Sequence, residues 1–242
     1  MINRFLKRRD ILFRVPAFDF STGLQIYLNG DDNLLDQSGN GRNGTQGNAS
    51  PVTYEAGNIN NAIKINPAFV NVENWNFAVS ANGVDIPFAV SIQVNVTTLS
   101  TTQMFFGAMA GGHEYHGFVH TDGVLYFRVF DVENYLEIAT PIASMSINQN
   151  VGLIFSYDGS GLASGLNIKV NNIQPVITET TSGTFNYISD KATRINIGAY
   201  HQAEQYKLQG TIEEFYFWLD RTMTSEELTE INARRLAAQT LI

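Results

Sequence analysis

The sequence predicts an all-β, two-sheet antiparallel sandwich or jelly roll with one C-terminal helix, and three observations carry that expectation. Short apolar stretches alternate with a period of two and are separated by clusters of Gly, Asp, Asn and Ser. The helix formers Lys and Glu are scarce until the last stretch of chain, and the polar surface is instead Asn, Ser, Thr and Gly. The period changes at Thr224, where a helix pattern begins.

Residues 1–20 read as a basic arm, and the domain proper as 21–242. Leu24 to Asn29 alternates as a strand and then breaks into a run dense in Asp, Asn, Ser and Gly, residues that bond their own backbone and form turns. Asn61 to Val72 alternates but is interrupted by Pro67, which marks an edge, a bulge or a break. Phe88 to Val96 is the clearest strand, with Phe88, Val90, Ile92, Val94 and Val96 on one face and Ala89, Ser91, Gln93 and Asn95 on the other. Met104 to Met109 is a short apolar run closed by Ala110-Gly111-Gly112. Gly117 to His120 and Val124 to Phe130 make a hairpin around Thr121-Asp122-Gly123. Val151 to Tyr157 pairs with Leu166 to Asn171, and Thr193 to Gly198 and Thr211 to Leu219 follow. Ten or so short strands at such spacing are the mark of a sandwich. The helix is expected over 224–239, opened by a capping box with Thr224 as cap and Glu227 three residues on.

At 44% apolar and 12% aromatic, the chain has material for one large core. The net charge of −8 is uneven: Arg4, Lys7, Arg8, Arg9 and Arg14 against Asp10 give the arm +4, leaving −12 on the rest. An acidic body disfavours nucleic acid as the main partner. The arm fits either a solvated tail or a tether to an acidic partner, nucleic acid, a larger assembly or another subunit. There are no cysteines, no apolar stretch long enough to span a membrane, and no classical signal peptide. Extracellular or virion-surface placement is expected, reached without a classical signal or after its removal, and assembly into a virus particle is one such route.

Three pieces in this order resemble the laminin G-like (concanavalin A-like lectin/glucanase) jelly rolls. The first is Leu35-Asp36-Gln37-Ser38-Gly39-Asn40-Gly41 with Asn43-Gly44-Thr45. The second is Leu153 to Ser160, ending a strand in Tyr157-Asp158-Gly159, followed by Leu166 to Asn172. The third is Gly210-Thr211-Ile212-Glu213-Glu214-Phe215 running into Thr224-Ser225-Glu226-Glu227-Leu228. Asn171-Asn172 departs from the family's usual Asn-Gly, and Glu213 stands where it often has Asp. The resemblance implies a structural calcium near the opening turn, for which Asp31, Asp32, Asp36, Asn40 and the later Glu213 or Glu214 offer oxygen ligands. The alternative is that Asp36 and Asn40 only cap turns. No other cofactor is expected.

The stretch His113-Glu114-Tyr115-His116-Gly117-Phe118-Val119-His120 reads as an aromatic and polar loop at the sandwich rim. His113, Tyr115 and His116 are ligand-contact candidates there, because such rings stack on sugar faces and also form hydrogen bonds. A shared metal would need His113 and His116 to lie in a loop, since strand residues three apart face opposite ways. Tyr126 and Arg128 share a strand face opposite Leu125, Phe127 and Val129, and with Tyr135, taken as a loop residue, they extend the candidate platform. An ordinary solvated strand face is the alternative. Trp75 and Trp218 are further stacking candidates, Trp218 the more packed.

Glucanases of this fold set paired carboxylates along one strand. The nearest stretch here, Asp131 to Glu137, has the wrong order and spacing, and Glu213 and Glu214 are adjacent. The sequence therefore predicts a non-catalytic surface binding or adhesion module with glycans as first candidate ligand. The alternative is a structural, decoration or attachment protein of a virus (phage) particle, using the sandwich as scaffold and Arg4, Lys7, Arg8 and Arg9 as tether.

Overall fold

In the computed structural model, the residues described are 19–48, 50–58, 61–73, 80–81, 83–108, 113–189, 194–200 and 206–236. The basic arm with Arg4, Lys7, Arg8 and Arg9, and also Trp75, lie outside them. The strands in chain order begin with β1 (Leu24–Leu28), β2 (Gly44–Gln46), β3 (Thr53–Ala56), β4 (Asn61–Ile65), β5 (Val70–Glu73), β6 (Ser80–Ala81) and β7 (Val84–Asp85). Next come β8 (Phe88–Val96), β9 (Gln103–Ala108), β10 (Tyr115–Val119), β11 (Leu125–Asp131) and β12 (Asn134–Ala139). The series closes with β13 (Asn150–Tyr157), β14 (Leu166–Val170), β15 (Thr178–Ser182), β16 (Arg194–Ile197), β17 (Gly210–Leu219) and the helix α1 (Ser225–Leu236).

Two antiparallel sheets face each other. The seven-stranded back sheet runs β14-β13-β8-β17-β4-β3, with β1 also on β17; the eight-stranded front sheet runs β15-β12-β11-β10-β9-β16-β5-β2. Strand β17 organises the back sheet. One edge pairs with β8 throughout, while the other is shared by β4 at Gly210–Ile212 and β1 at Phe215–Trp218. The register slips between Ile212 and Glu214. This bulge turns Phe215 and Phe217 to the core together with Ile212, and leaves Glu214, Tyr216 and Trp218 on the outer side. Pro67 ends β4, and the chain crosses to the front sheet to begin β5.

The alternating faces meet in an aromatic core. Phe106 and Phe155 pack edge to face at 5.1 Å, and Phe127 meets Phe155 at 5.7 Å. Each such ring, fully buried, contributes about 1.5–3 kcal/mol of transfer free energy. Gly117, facing inward on β10, makes room for them: a Cβ there would stand 2.6 Å from Phe106 Cε1.

A second core lies on the outer face of the back sheet, where Tyr27, Tyr216 and Trp218 stack at 4.3 and 5.3 Å. Helix α1 covers it through Ile231, and Phe20, the last residue of the expected arm, is buried there with its carbonyl accepting from Trp218 Nε1 at 2.7 Å. Arg221 ties this corner together, donating to the carbonyls of Asp19 and Thr22 and to Glu227. The capping box forms as its sequence predicts: Glu227 N donates to Thr224 Oγ1 at 3.2 Å, and Thr224 N to Glu227 Oε2 at 2.9 Å. Replacing Thr224 by Ala is expected to cost about 1 kcal/mol, read from urea unfolding. No helix among the described residues is long and apolar enough to cross a membrane.

Candidate functional site

The outward face of the front sheet carries the chemistry. Strand β11 points Leu125, Phe127 and Val129 into the core, so Tyr126, Arg128 and Phe130 must face out. Its register with β10 (Tyr115 on Val129, Gly117 on Phe127) turns His116 and Phe118 to the same side. Carried across the sheet, one line of cross-strand partners reads Asn71, Asn196, Gly107, His116, Arg128 and Glu137. A polar row thus crosses strands ~4.8 Å apart, flanked by rings.

Those rings frame a depression of 400 Å³, within the usual ~300–1,000 Å³ of ligand pockets. Phe118, Phe130, Met104 and Thr102 contribute from the strands and their ends, and Tyr200 and Tyr206 from the connection between β16 and β17. His116 packs on Phe130 at 5.0 Å and on Phe118 at 5.2 Å. His113 meets Phe130 at 5.1 Å and Tyr200 at 6.0 Å, and Tyr206 stands against Tyr200 at 5.6 Å. Beside the depression, Tyr126 stacks on Phe118 at 4.8 Å with the rings 7° from parallel.

Arg128 is held from several sides. Its Nε donates to Glu137 Oε2 at 2.8 Å and its Nη2 reaches the same oxygen, while the guanidinium lies 4.4 Å from the Tyr135 ring centre. Phe118 and Phe130 follow at 5.6 and 5.8 Å. His116 is only 4% exposed, and its Nδ1 has no hydrogen-bond partner among the described residues. Burial first, then the Arg128 cation and His113, hold this imidazole well below its usual range, so it is neutral near pH 7.

The sign of the linkage follows. In the unfolded chain His116 takes up a proton as pH falls through about 6.5, whereas the folded site resists it, so stability is lost on the acid side. His116→Gln is expected to flatten the fall in melting temperature between pH 7.5 and pH 5; an unchanged slope would contradict the assignment.

The structure brings His113, His116 and Arg128 together at the depression, with Tyr126 and Tyr135 beside it. It does not bring Tyr115, which lies in the core between the sheets, fully buried against Phe88 at 4.7 Å and Phe217 at 5.9 Å. The reason is strand alternation: residues 115–119 form β10 rather than a rim loop, and with His116 facing out its neighbour faces in. Tyr135 likewise sits in strand β12, opposite Phe130. Phe118, Phe130, Tyr200 and Tyr206 are site residues that sequence reasoning missed. The alternation that turns Tyr126 and Arg128 outward turns Phe130 the same way, and the pairing of β10 with β11 does so for Phe118.

The residues proposed for calcium make hydrogen bonds within the protein. Asp36 accepts from the backbone N–H of Tyr27 (2.9 Å), Ser38 (3.0 Å) and Arg42 (2.9 Å), the work of a turn cap. Asn40 turns its amide N–H to the Leu24 carbonyl at 2.8 Å. Asp32 accepts from Asn61, and Glu213, at the bulge of β17, from the Asn58 backbone and from Asn150. Among the described residues, no three His, Asp or Glu side chains are grouped so as to share a metal ion.

No family model and no curated protein matches the chain. Solved structures do match in fold. Domain 4 of AbnA, a GH43 extracellular arabinanase from Geobacillus stearothermophilus, in complex with arabinotriose, is similar at TM-score 0.63 and 19% identity, over 86% of this chain and 98% of that one. The botulinum neurotoxin serotype G binding domain is similar at TM-score 0.64 and 14% identity, over 86% of this chain but only 50% of its own. The Ruminococcus gnavus IT-sialidase CBM40 bound to α2,3-sialyllactose is similar at TM-score 0.50 and 14% identity, over 62% of this chain and 84% of that one. At such identities the likeness is one of architecture, a two-sheet antiparallel β-sandwich.

Proposed function

We propose that this chain is a non-catalytic carbohydrate-binding module that takes a sugar in the depression on the front sheet. The observation that carries the reading is the lining of the depression, where Phe118, Phe130, Tyr200 and Tyr206 surround the polar groups of His113, His116 and Arg128. A sugar presents C–H faces for rings and hydroxyls for hydrogen bonds, and this site presents both counterparts. The AbnA domain and the CBM40, two similar sandwiches, were solved with sugars bound. Glu137, the carboxylate beside the depression, is tied to Arg128, which disfavours a role as hydrolytic acid or base. The laminin G-like type remains our finer reading of the sandwich, supported by the closing strand and the capping box that follows it.

A glycan array probed with the 242-residue chain tests the proposal. Binding to a defined sugar class is the expected result, and a blank array from folded protein would overturn it.

A further inference from the structure

The front face presents two arginines from its strands, and each is matched by a carboxylate across the ladder. Arg128 Nε and Nη2 both engage Glu137, and Arg194 Nη1 lies 3.2 Å from Glu73 Oε1. Proteins recognise a ligand carboxylate by offering one edge of an arginine fork as two parallel N–H donors. In Arg128 the Nε–Nη2 edge is already on Glu137, and three aromatic rings stand about the guanidinium. An acidic sugar would find the Nε–Nη2 edge taken and the guanidinium charge already balanced, and at the remaining Nη1 side it would set its own carboxylate beside Glu137, itself only 8% exposed. A neutral sugar meets no such like-charge contact. It can take hydrogen bonds from what remains of Arg128 and give or accept one at His116, while the pair stays closed. The acidic body of the chain adds to the bias, since it repels anionic ligands at long range.

We infer that, given the sugar site proposed above, its ligand is a neutral glycan and that Glu137 sets this preference by holding Arg128. Glu137 is then a specificity-determining residue that need not itself touch the ligand.

The test uses the full chain on matched pairs of immobilised oligosaccharides, each neutral core beside its sialylated or uronic-acid counterpart. Neutral members are expected to bind at least tenfold more tightly than their acidic partners. Glu137→Gln, which keeps the shape but removes the charge, is expected to raise the acidic-to-neutral binding ratio at least tenfold. Acidic members that bind wild type as well as or better than their neutral cores would overturn the inference and leave the sugar site standing. An unchanged ratio in Glu137→Gln, shown folded by its thermal transition, would overturn the role of Glu137. Absence of binding to every pair would remove both readings. The wild-type comparison decides the preference even if the variant does not fold.

Discussion

Tyr115→Ala is expected to destabilise the fold by about 3–5 kcal/mol, the range for deleting a large buried ring, and so to remove a large share of the stability of a domain of this kind. The ring is fully buried and packs on Phe88 from β8 and Phe217 from β17, so its loss opens a cavity between the sheets rather than a gap on the surface. Tyr115→Phe keeps the volume and is expected to cost far less. Urea unfolding of the two variants checks this. A stable Tyr115→Ala protein that has lost ligand binding would instead return Tyr115 to the binding face.

Tyr200→Ala is expected to show the opposite profile. Tyr200 is half-buried at the wall of the depression, between His113 and Tyr206. Truncation removes a stacking surface at the site without opening the inter-sheet core. Affinity for any sugar that binds the wild type should fall tenfold or more, about 1.4 kcal/mol, with a much smaller change in melting temperature than Tyr115→Ala gives. Titration calorimetry beside a thermal melt reads both quantities. Intact affinity in a folded Tyr200→Ala protein would move the site elsewhere.

The fold was legible because its signals are local. Period-two alternation at Phe88–Val96 coincides with β8, and Asp122-Gly123 supports the β10–β11 hairpin, with Gly123 at φ 78° and Asp122 Oδ1 accepting from Val124 N. The inner and outer sides of β10 were harder. Tyr115, Gly117 and Val119 alternate with His116, Phe118 and His120, and neither set is clearly the apolar one. Only pairing with β11, whose Leu125, Phe127 and Val129 are unambiguous, assigns Tyr115 to the core. Tracing that pairing back from the turn keeps His116 on the outer face and adds Phe118 and Phe130 from sequence. Tyr200 and Tyr206 carried no such signal. They reach the depression through the connection from β16 in one sheet to β17 in the other, a long-range consequence of topology. The second core was half legible: Trp218 read as packed, but the bulge in β17 that separates it from Ile212 leaves no mark in the alternation.

The central claim is that sugar binds on the outward face of the front sheet. The four histidines of the chain make a direct test by NMR of their ring resonances during titration with an array-positive neutral oligosaccharide. His113 and His116 line the depression, while His120 lies beyond the end of β10, against Asp122. The account predicts saturable shifts at His113 and His116 with His120 unmoved. A sugar that binds the protein yet leaves both depression histidines unshifted would contradict it.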